Sequence, residues 1–517
     1  MQVFSFFIDE QTPRLIEIEY HSRFQIPSFQ ILGLPAPEIQ EARERIAAAF
    51  LSSDFEFPKK KVIVNLAPSS IRKSGTGHDL AIALRILESV LETTWPERLL
   101  AWGELGLDGT VKPTGRIAGL IELLLRQKDP LKQPWTVLLS KEDHETLHRL
   151  LEWRKTQKLP CPENTEYRFL DQLKDIPEVW AKTIAPTPNR PAISTPPGNG
   201  RLLPLSPQLE RILQICLIGR HHLLLLGPKG IGKSESIHWF EALLPTPGSD
   251  QLWDQALSLE SRALNPTFEP PVRRVHAQVR PSHLLGTFQA RGYQAGELAL
   301  AHGGLLIADE FMEWPRDSKE CLREPLQTER VSITRVRGKF ESRCELQLVA
   351  TGNLCPCGGL PAPLRAFTQA KGAPCRCRPN TVRDYLQKIS GPILDRIDLV
   401  ALLSLPSQKK IKQQQTNDQF EAMKEKVTEG REFALKHFHA LPSKLSPTWL
   451  EETLPERPEI ETMLASVTSL RARHKILRVA RSIQALEKSE ELKVEHVFES
   501  KAYRFMDSWL ESVLPTD

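Results

Sequence analysis

The chain has 517 residues, of which 40% are hydrophobic and 26% charged, a composition typical of a globular protein with roughly three domains. Its formal net charge of +4 neither requires nor excludes a nucleic-acid partner, so DNA binding must be argued from local groups. No apolar run reaches the ~20 residues of a membrane-spanning helix. The N-terminus lacks a basic segment and meets acidic residues early, unlike a signal peptide. We therefore expect a cytoplasmic protein.

The first part of the chain alternates between strand and helix patterns. Residues 15–20 and 61–66 have the character of strands, whereas residues 37–50 and 80–90 carry apolar side chains at helical spacing. This pattern predicts an α/β domain over residues 1–182. Residues 183–203 are rich in proline and cannot bury a core, so they are predicted to be a linker.

A glycine-rich motif follows the linker. It comes after the apolar run 223–226, a predicted buried strand, and before a predicted helix at residues 235–244. A strand, a glycine-rich loop and a helix in this order are typical of a P-loop, whose backbone N–H groups surround phosphates. Lys233 is then expected to reach the β- and γ-phosphates, and Ser234 to bind Mg2+. The predicted nucleotide-binding residues are Gly227, Pro228, Lys229, Gly230, Ile231, Gly232, Lys233 and Ser234.

Two later strand patterns end in polar residues. Residues 304–310 end in Asp309, expected to hold Mg2+ through water, and Glu310, expected to polarise the attacking water. Residues 346–352 precede Asn353, which is either a turn residue or a sensor of the γ-phosphate. Together with the P-loop, these motifs predict an ATPase core over residues 204–404.

Two arginine patterns lie further along the chain. Arg396 stands among apolar residues and is either an arginine finger for a neighbouring subunit or part of a surface pair with Asp395 or Asp398. From residue 405 to 517 the pattern is helical, and residues 469–486 have one apolar face, so a helical lid is predicted. The lid helix also carries a basic cluster, in which one member is expected to touch the γ-phosphate and the rest to form a solvated face: Arg471, Arg473, Lys475, Arg478 and Arg481.

Four of the eight cysteines form two Cys-x-Cys pairs, Cys355 with Cys357 and Cys375 with Cys377. Four thiolates can form a tetrahedral Zn2+ site, although this spacing is tighter than the usual Cys-x-x-Cys. A reducing cytoplasm disfavours two disulfides. We therefore predict a site for Zn2+ or another structural metal within an insertion at residues 355–377.

Ordered sequence blocks resemble the Mg-chelatase-like AAA+ ATPases, specifically the ComM/YifB family. The first part of the chain contains FQILGLP (29–35), EARER (41–45), FEFP (55–58), VNLAP (64–68) and GELGLDG (103–109). The later part contains GELALAH (296–302), LREPL (322–326), CPCG (355–358), CRC (375–377), GPILDRIDL (391–399) and ILRVAR (476–481).

The resemblance implies an α/β fold with a Lon-protease-like first domain, a P-loop AAA+ core and a helical lid. It implies sensor roles for Asn353 and Arg471 and a finger role for Arg396. It also implies hexameric rings, with ATP and Mg2+ as cofactors. Members of the ComM branch promote branch migration of DNA junctions during natural transformation, so single-stranded or branched DNA is the implied partner.

The chain departs from the family pattern at several positions. The usual Gly-Gln pair after the linker is replaced by residues 204–208 (PLSPQ), and Lys229 replaces a second P-loop proline. A longer Arg-Pro-Phe-Arg motif is reduced to residues 272–276 (VRRVH), and Ala308 precedes the two acids in place of leucine. For proteolysis, Ser74 or Thr76 would be the nucleophile, but no lysine base is clearly placed, so we expect a non-proteolytic domain.

The leading hypothesis from the sequence is an ATP-driven motor on branched or single-stranded DNA. A first alternative is an ATPase that remodels proteins, as Mg-chelatase motor subunits do. A second is an ATP-binding scaffold that does not hydrolyse ATP, against which the retained Lys233, Ser234, Asp309 and Glu310 argue.

Overall fold

A computed structural model describes residues 2–9, 12–70, 73–91, 95–127, 134–181, 202–289, 292–335, 338–360, 375–403, 413–467 and 469–504. The predicted linker lies outside these ranges except for Leu202 and Leu203, and so do residues 361–374 of the predicted cysteine insertion. Within the described ranges, no helix combines the length and the apolar character needed to cross a membrane.

A seven-stranded mixed sheet lies before the linker, in the order β3-β4-β2-β1-β5-β8-β9. Its strands, with the small β6–β7 ribbon, are β1 (Gln2–Asp9), β2 (Thr12–Arg23), β3 (Ser28–Leu32), β4 (Lys61–Ala67), β5 (Arg98–Trp102), β6 (Glu104–Leu105), β7 (Val111–Lys112), β8 (Trp135–Ser140) and β9 (Thr165–Leu170). The helices are α1 (Pro37–Ser52), α2 (Asp79–Leu91), α3 (Ile117–Arg126), α4 (Asp143–Thr156) and α5 (Ile176–Ala181). The two strands and two helices predicted here are confirmed.

A five-stranded parallel sheet follows the linker, in the order β11-β14-β17-β10-β18. Its strands are β10 (Leu223–Leu226), β11 (Val272–Val275), β14 (Leu305–Ala308), β17 (Gln347–Gly352) and β18 (Leu399–Leu402). Two antiparallel hairpins project from the connections: β12 (Gly286–Gln289) with β13 (Gly292–Ala295), and β15 (Arg330–Arg335) with β16 (Gly338–Arg343). The residues of β10, β14 and β17 are all buried, which explains why β10 and β14 are continuous apolar runs in the sequence.

Helices cover both faces of this sheet and form the C-terminal region. Around the sheet lie α6 (Pro207–Gly219), α7 (Lys233–Ala242), α8 (Ser249–Glu260), α9 (Pro281–Leu285), α10 (Glu297–Leu300), α11 (Arg316–Glu320), α12 (Pro325–Thr328), α13 (Pro379–Leu386) and α14 (Gly391–Leu394). The C-terminal helices are α15 (Gln413–Phe438), α16 (Pro447–Glu452), α17 (Pro458–Ala465), α18 (Leu470–Leu486) and α19 (Val494–Ala502). The predicted α/β core with a helical C-terminal region is therefore confirmed.

Helix α18 packs against α6 and α15 through the apolar stripe that its sequence predicts. The stripe residues, Ile476, Val479, Ala480 and Ile483, are at most 2% exposed. They belong to the same hydrophobic core as strands β10 and β18. The C-terminal helices therefore share a core with the P-loop side of the sheet.

The first sheet region and the second meet at α3 and α8. The buried carboxylate of Glu260, the last residue of α8, accepts the backbone N–H of Ala118 (2.7 Å) and of Gly119 (3.1 Å). These amides belong to the first turn of α3, where N–H groups have no partner within the helix. Trp153 of α4 stacks on Trp253 of α8 at a ring-centroid distance of 6.2 Å. The contact between the two regions thus combines packing of apolar rings with hydrogen bonds to a buried carboxylate.

Candidate functional site

The P-loop joins the end of β10 to the start of α7. Gly230 (φ 77°) and Gly232 (φ 93°) adopt left-handed backbone conformations, which glycine reaches without steric cost. Among the described residues, apart from the adjacent ones in the chain, no atom lies within 4 Å of the place that a Cβ on either glycine would occupy. The loop therefore leaves open space beside its backbone at the N-terminus of a helix, where anions bind favourably.

Lys233, the first residue of α7, folds back over this loop. Its ammonium group donates to the carbonyls of Gly227 (2.6 Å) and Pro228 (3.2 Å) and to Oδ1 of Asn353 (2.8 Å). Burial lowers the pKa of Lys233 to about 8, although Asp309 and Glu310 oppose this shift. A partly buried amine with few anionic partners has unused capacity to neutralise phosphate oxygens.

The register of the parallel sheet brings the other polar residues to the same edge. Strand β17 lies between β10 and β14, with Gly352 paired to Leu226 and Ala350 paired to Ala308. Parallel strands end at one edge, so Asn353 follows beside Gly227, and Thr351 follows beside Asp309. The structure therefore brings Lys233, Asn353, Asp309 and Glu310 to one edge, as their sequence motifs predict.

The two acids are held differently. Thr351 donates its hydroxyl to Oδ1 of Asp309 (2.5 Å), and its Oγ1 also accepts the backbone N–H of Glu310 (3.2 Å). Asp309 is thus fixed at the strand end, whereas Glu310 is exposed and occupies a left-handed backbone conformation (φ 49°). A fixed carboxylate suits a metal-binding role, and an exposed one can act on a water molecule.

These residues fit a nucleoside triphosphate with Mg2+. The open backbone of the P-loop and the Lys233 ammonium would hold the phosphates, and the exposed Ser234 hydroxyl with the Asp309 carboxylate would hold the metal. The metal would supply positive charge that neutralises phosphate oxygens.

Arg396 lies in a different environment. Its guanidinium donates to the carbonyl of Pro392 (2.8 Å) and to Oε1 of Gln327, while its Nε is buried without a partner. Burial and the nearby charges of Arg471 and Arg323 lower its pKa. No salt bridge joins Arg396 to Asp395 or Asp398 in the described part of the chain, where these acids pair with Arg504 and Lys475, although the Asp395 charge acts on Arg396.

Most of the basic side chains of the lid helix, α18, bind partners within the same chain. Arg473 binds Glu451 through two 2.9 Å contacts, Lys475 binds Asp398 at 2.8 Å, and Arg478 and Arg481 donate to backbone carbonyls. Lys475 and Arg481 are at most 8% exposed, so a solvated face does not describe them. Arg471 is exposed, and its side chain makes no hydrogen bond or salt bridge within the described ranges. Arg471 lies close enough to Arg396 for its charge to act on that residue.

The four paired cysteines converge. The Sγ atoms of Cys355, Cys357, Cys375 and Cys377 all lie within 4.8 Å of one another. The separation between Cys355 and Cys357 is 3.3 Å, and Cys375 lies 3.6 Å from each of them. A hydrogen bond from the Gly359 N–H contributes most to a pKa of about 6 for Cys357. The cluster can bind a metal ion.

Other predicted residues have local partners. Arg273 and Arg274 of β11 bind Glu297 (2.6 Å) and Glu241 (2.7 Å). In the first region, the ammonium of Lys73, next to Ser74, donates to the carbonyls of Gly33 and Pro68. Lys73 therefore already uses two of its donors on the backbone.

Three contacts at the site were missed by sequence reasoning. Thr351 holds Asp309, Gln327 holds Arg396, and the carbonyl of Gly358 accepts the N–H of Lys229 (2.9 Å). A threonine two residues before Asn353 was the one available signal, since parallel pairing of two motif strands places it beside the acids.

Three segments match families described as magnesium chelatase subunits. Residues 206–411 match "Magnesium chelatase, subunit ChlI", residues 18–132 match "Subunit ChlI of Mg-chelatase", and residues 417–504 match "Magnesium chelatase, subunit ChlI C-terminal". The matches cover the five-stranded sheet, part of the first sheet without β1, β8 and β9, and the C-terminal helices from residue 417.

Curated relatives extend the similarity to nearly the full chain. The uncharacterized protein YifB of Escherichia coli is 27% identical over 522 residues, covering 96% of this chain and 95% of YifB. Competence protein ComM of Haemophilus influenzae is 27% identical over 524 residues, covering 96% of each. An uncharacterized protein of Mycobacterium tuberculosis is 29% identical over 396 residues, 74% of this chain and 73% of that protein. With its P-loop site, the chain therefore belongs to the ComM/YifB family of Mg-chelatase-like AAA+ ATPases.

Proposed function

We propose that this protein hydrolyses ATP at the interface between copies of itself and uses the energy for branch migration of DNA. The main support for this proposal is that the predicted catalytic residues lie in two separate places. Lys233, Asn353, Asp309 and Glu310 share one edge of the sheet, whereas Arg396 contacts Pro392 and Gln327. A second copy is needed to bring a guanidinium to the phosphates.

Each residue has a distinct role in this proposal. Lys233 neutralises phosphate charge after leaving the Gly227 and Pro228 carbonyls, and Ser234 and Asp309 hold Mg2+. Glu310 orients the attacking water. Asn353, which now contacts Lys233, senses the γ-phosphate. Arg471 lies close enough to Arg396 for its charge to act on that residue, so the proposal places both guanidinium groups at the neighbouring copy's nucleotide. A closed ring, a hexamer, supplies every copy with such a neighbour.

The DNA role is supported by a basic hairpin and by the name of one relative. At one end of the β15–β16 hairpin Arg335 pairs with Gly338, and the sequence near this end carries Arg335, Arg337 and Lys339, of which Arg337 lies outside the described residues. Cations on a hairpin are suited to contact phosphates. The relative in Haemophilus influenzae is named a competence protein. We also propose the predicted organisation: a non-proteolytic Lon-like domain (1–182), a linker (183–203), an AAA+ core (204–404) and a lid (405–517).

We further propose that the cysteine cluster binds Zn2+. Four thiolates are the donor set that structural zinc prefers, at Zn–S distances of about 2.3 Å. A regular tetrahedron of that size has edges of about 3.8 Å, close to the 3.3–3.6 Å separations among Cys355, Cys357 and Cys375, and all four Sγ atoms lie within 4.8 Å of one another. Metal analysis of the purified protein should find one zinc per chain, and none after Cys355→Ser with Cys377→Ser.

The ATPase proposal is tested by two substitutions. Lys233→Ala should abolish ATP hydrolysis, because the phosphates lose their cationic partner. Glu310→Gln should bind ATP and release no phosphate, because the amide cannot polarise water. Retention of hydrolysis by Glu310→Gln would show that another group orients the water.

The DNA proposal is tested by stimulation of the ATPase with forked and four-way junction DNA at several salt concentrations. We expect stimulation that weakens as salt rises, and a smaller salt dependence in Arg335→Ala with Lys339→Ala. Hydrolysis that is unchanged by every DNA would contradict the DNA role and favour a protein-remodelling ATPase.

A further inference from the structure

We infer that the metal-bound cysteine cluster braces the P-loop, so that metal occupancy and nucleotide binding strengthen each other. The inference rests on the proposed zinc and ATP sites and goes beyond both of them, because it concerns the contact between the two. We call the segment from Asn353 to Gly358 the knuckle.

The knuckle touches the P-loop at two places. At its start, Oδ1 of Asn353 accepts a hydrogen bond from the Lys233 ammonium (2.8 Å). At its end, the carbonyl of Gly358 accepts the backbone N–H of Lys229 (2.9 Å). A Cβ on Gly358 would lie only 2.6 Å from Cγ of Lys229, so the lysine stem already lies against this glycine. The knuckle thus contacts two residues of the P-loop motif, Lys229 and Lys233.

The cysteines fix the position of the knuckle. Gly358 adopts a left-handed conformation (φ 74°) and donates its N–H to the carbonyl of Cys355 (3.0 Å). The next residue, Gly359, donates its N–H to Sγ of Cys357 (3.4 Å). The carbonyl that faces the P-loop is therefore positioned by two of the four ligands.

The other two ligands reach the knuckle from a separate part of the chain. Cys375 and Cys377 precede α13, and residues 358–374 separate them from Cys357. A metal bound by all four would close this loop and restrain the knuckle, in the way that metal clips restrain long loops. Within the described residues, the knuckle contributes Leu354 and Cys355 to the hydrophobic core, whereas Pro356 and Cys357 are exposed. The metal thus supplies order on which the Gly358–Lys229 hydrogen bond depends.

Position 229 permits a selective test, because proline has no backbone N–H. Lys229→Pro removes the donor to Gly358 and leaves every cysteine intact. Lys229→Ala is the matched control, since alanine keeps the N–H and loses only the side chain. The experiment measures calorimetric binding of the non-hydrolysable analogue AMP-PNP with excess Mg2+. Full-length protein is compared in its zinc-loaded state and after zinc removal by a chelator that is then separated.

We expect zinc removal to raise the Kd of AMP-PNP by about two- to tenfold in the wild type, the effect of about one hydrogen bond. Re-addition of zinc should restore it. Lys229→Ala should respond to zinc like the wild type, whereas Lys229→Pro should have the same Kd in both states. Because coupling is reciprocal, AMP-PNP should raise the zinc affinity of the wild type by the same factor, measured with a competing zinc indicator.

Each contrary result overturns a different statement. An unchanged Kd in a wild type shown to bind one zinc would overturn the brace and leave the zinc site intact. Zinc dependence that persists in Lys229→Pro would show that the Gly358 contact does not carry the coupling. Absence of zinc from the protein as purified and after zinc addition would overturn the metal site and the brace together. Failure of zinc-loaded wild type to bind AMP-PNP would overturn the ATP site.

Discussion

Lys233 is the residue on which the chemistry of the site depends most directly. Its ammonium lies among two backbone carbonyls and one amide oxygen, a set that satisfies hydrogen bonds without neutralising the charge. Burial accordingly lowers its pKa to about 8. Phosphate groups would offer the missing negative charge, so nucleotide binding should return the pKa toward the usual range of a lysine.

This shift predicts the pH dependence of nucleotide binding. Binding favours protonated Lys233, so its contribution to affinity is complete below pH 8 and is lost as the pH rises above 8. The Kd for AMP-PNP should rise by up to about tenfold per pH unit above that point. Calorimetry between pH 7 and 9.5 measures it, with adenosine as a control ligand that lacks phosphates. A Kd that stays constant over this range would contradict the assigned role of Lys233.

The positions of single functional residues could be predicted from the sequence where those residues belong to a local motif. The P-loop, Asp309 and Glu310 follow strand patterns that the structure confirms, so their place at the strand ends followed from the sequence. Thr351 and Gln327 were not predictable, because their partners depend on sheet register and on the path of the chain between distant segments. The contact between Gly358 and Lys229 likewise joins two loops whose sequences do not indicate a pairing.

At the scale of elements, a buried ion pair joins the lid helix α18 to the segment that carries Arg396. Lys475 donates to Oδ1 of Asp398 (2.8 Å), and Oδ2 of Asp398 accepts the N–H of His222 (2.9 Å). Burial alone would raise the pKa of Asp398, but the Lys475 charge and His221 hold it well below its usual range. Asp398 lies two residues after Arg396, so the lid and the proposed finger are mechanically linked.

Removal of one partner from this pair should be costly. Lys475→Met leaves a buried carboxylate unpaired and should lower the free energy of unfolding by about 3–5 kcal/mol. The double change Lys475→Met with Asp398→Asn should recover most of that loss, since the asparagine oxygen can still accept from His222. Denaturant unfolding of the three proteins measures these values. A double variant no more stable than Lys475→Met would show that the charge itself is not the cause.

Helices and strands with strong hydrophobic periodicity were predicted well, whereas the contacts between them were not. The apolar stripe of α18 indicated its buried face correctly. The basic residues of α18 illustrate the limit of such reasoning. Charge on a helix is typical of a solvated face, but three of these cations reach backbone carbonyls or Asp398 in the interior. Long side chains can bury their stems and still satisfy their charge, which periodicity does not reveal.

At the scale of the whole molecule, the site is divided between two surfaces of one copy. The phosphate-binding edge carries Lys233 and Glu310, while Arg396 and Arg471 influence each other at another position. The sheet order explains the first group, because β17 separates β10 from β14 and aligns their ends. In the proposed mechanism, Arg396 and Arg471 act only when a neighbouring copy presents its own P-loop to them. The central claim is therefore that ATP is cleaved between copies.

A subunit-mixing experiment tests this claim most directly. Lys233→Ala lacks the phosphate-binding amine and Arg396→Ala lacks the finger, so each variant alone should hydrolyse no ATP. In an equal mixture that assembles at random, about one quarter of the interfaces would join an intact P-loop to an intact finger. We predict that the mixture recovers up to about a quarter of wild-type ATPase activity. Full activity of Arg396→Ala alone, or a co-assembled mixture that stays inactive, would contradict cleavage between copies.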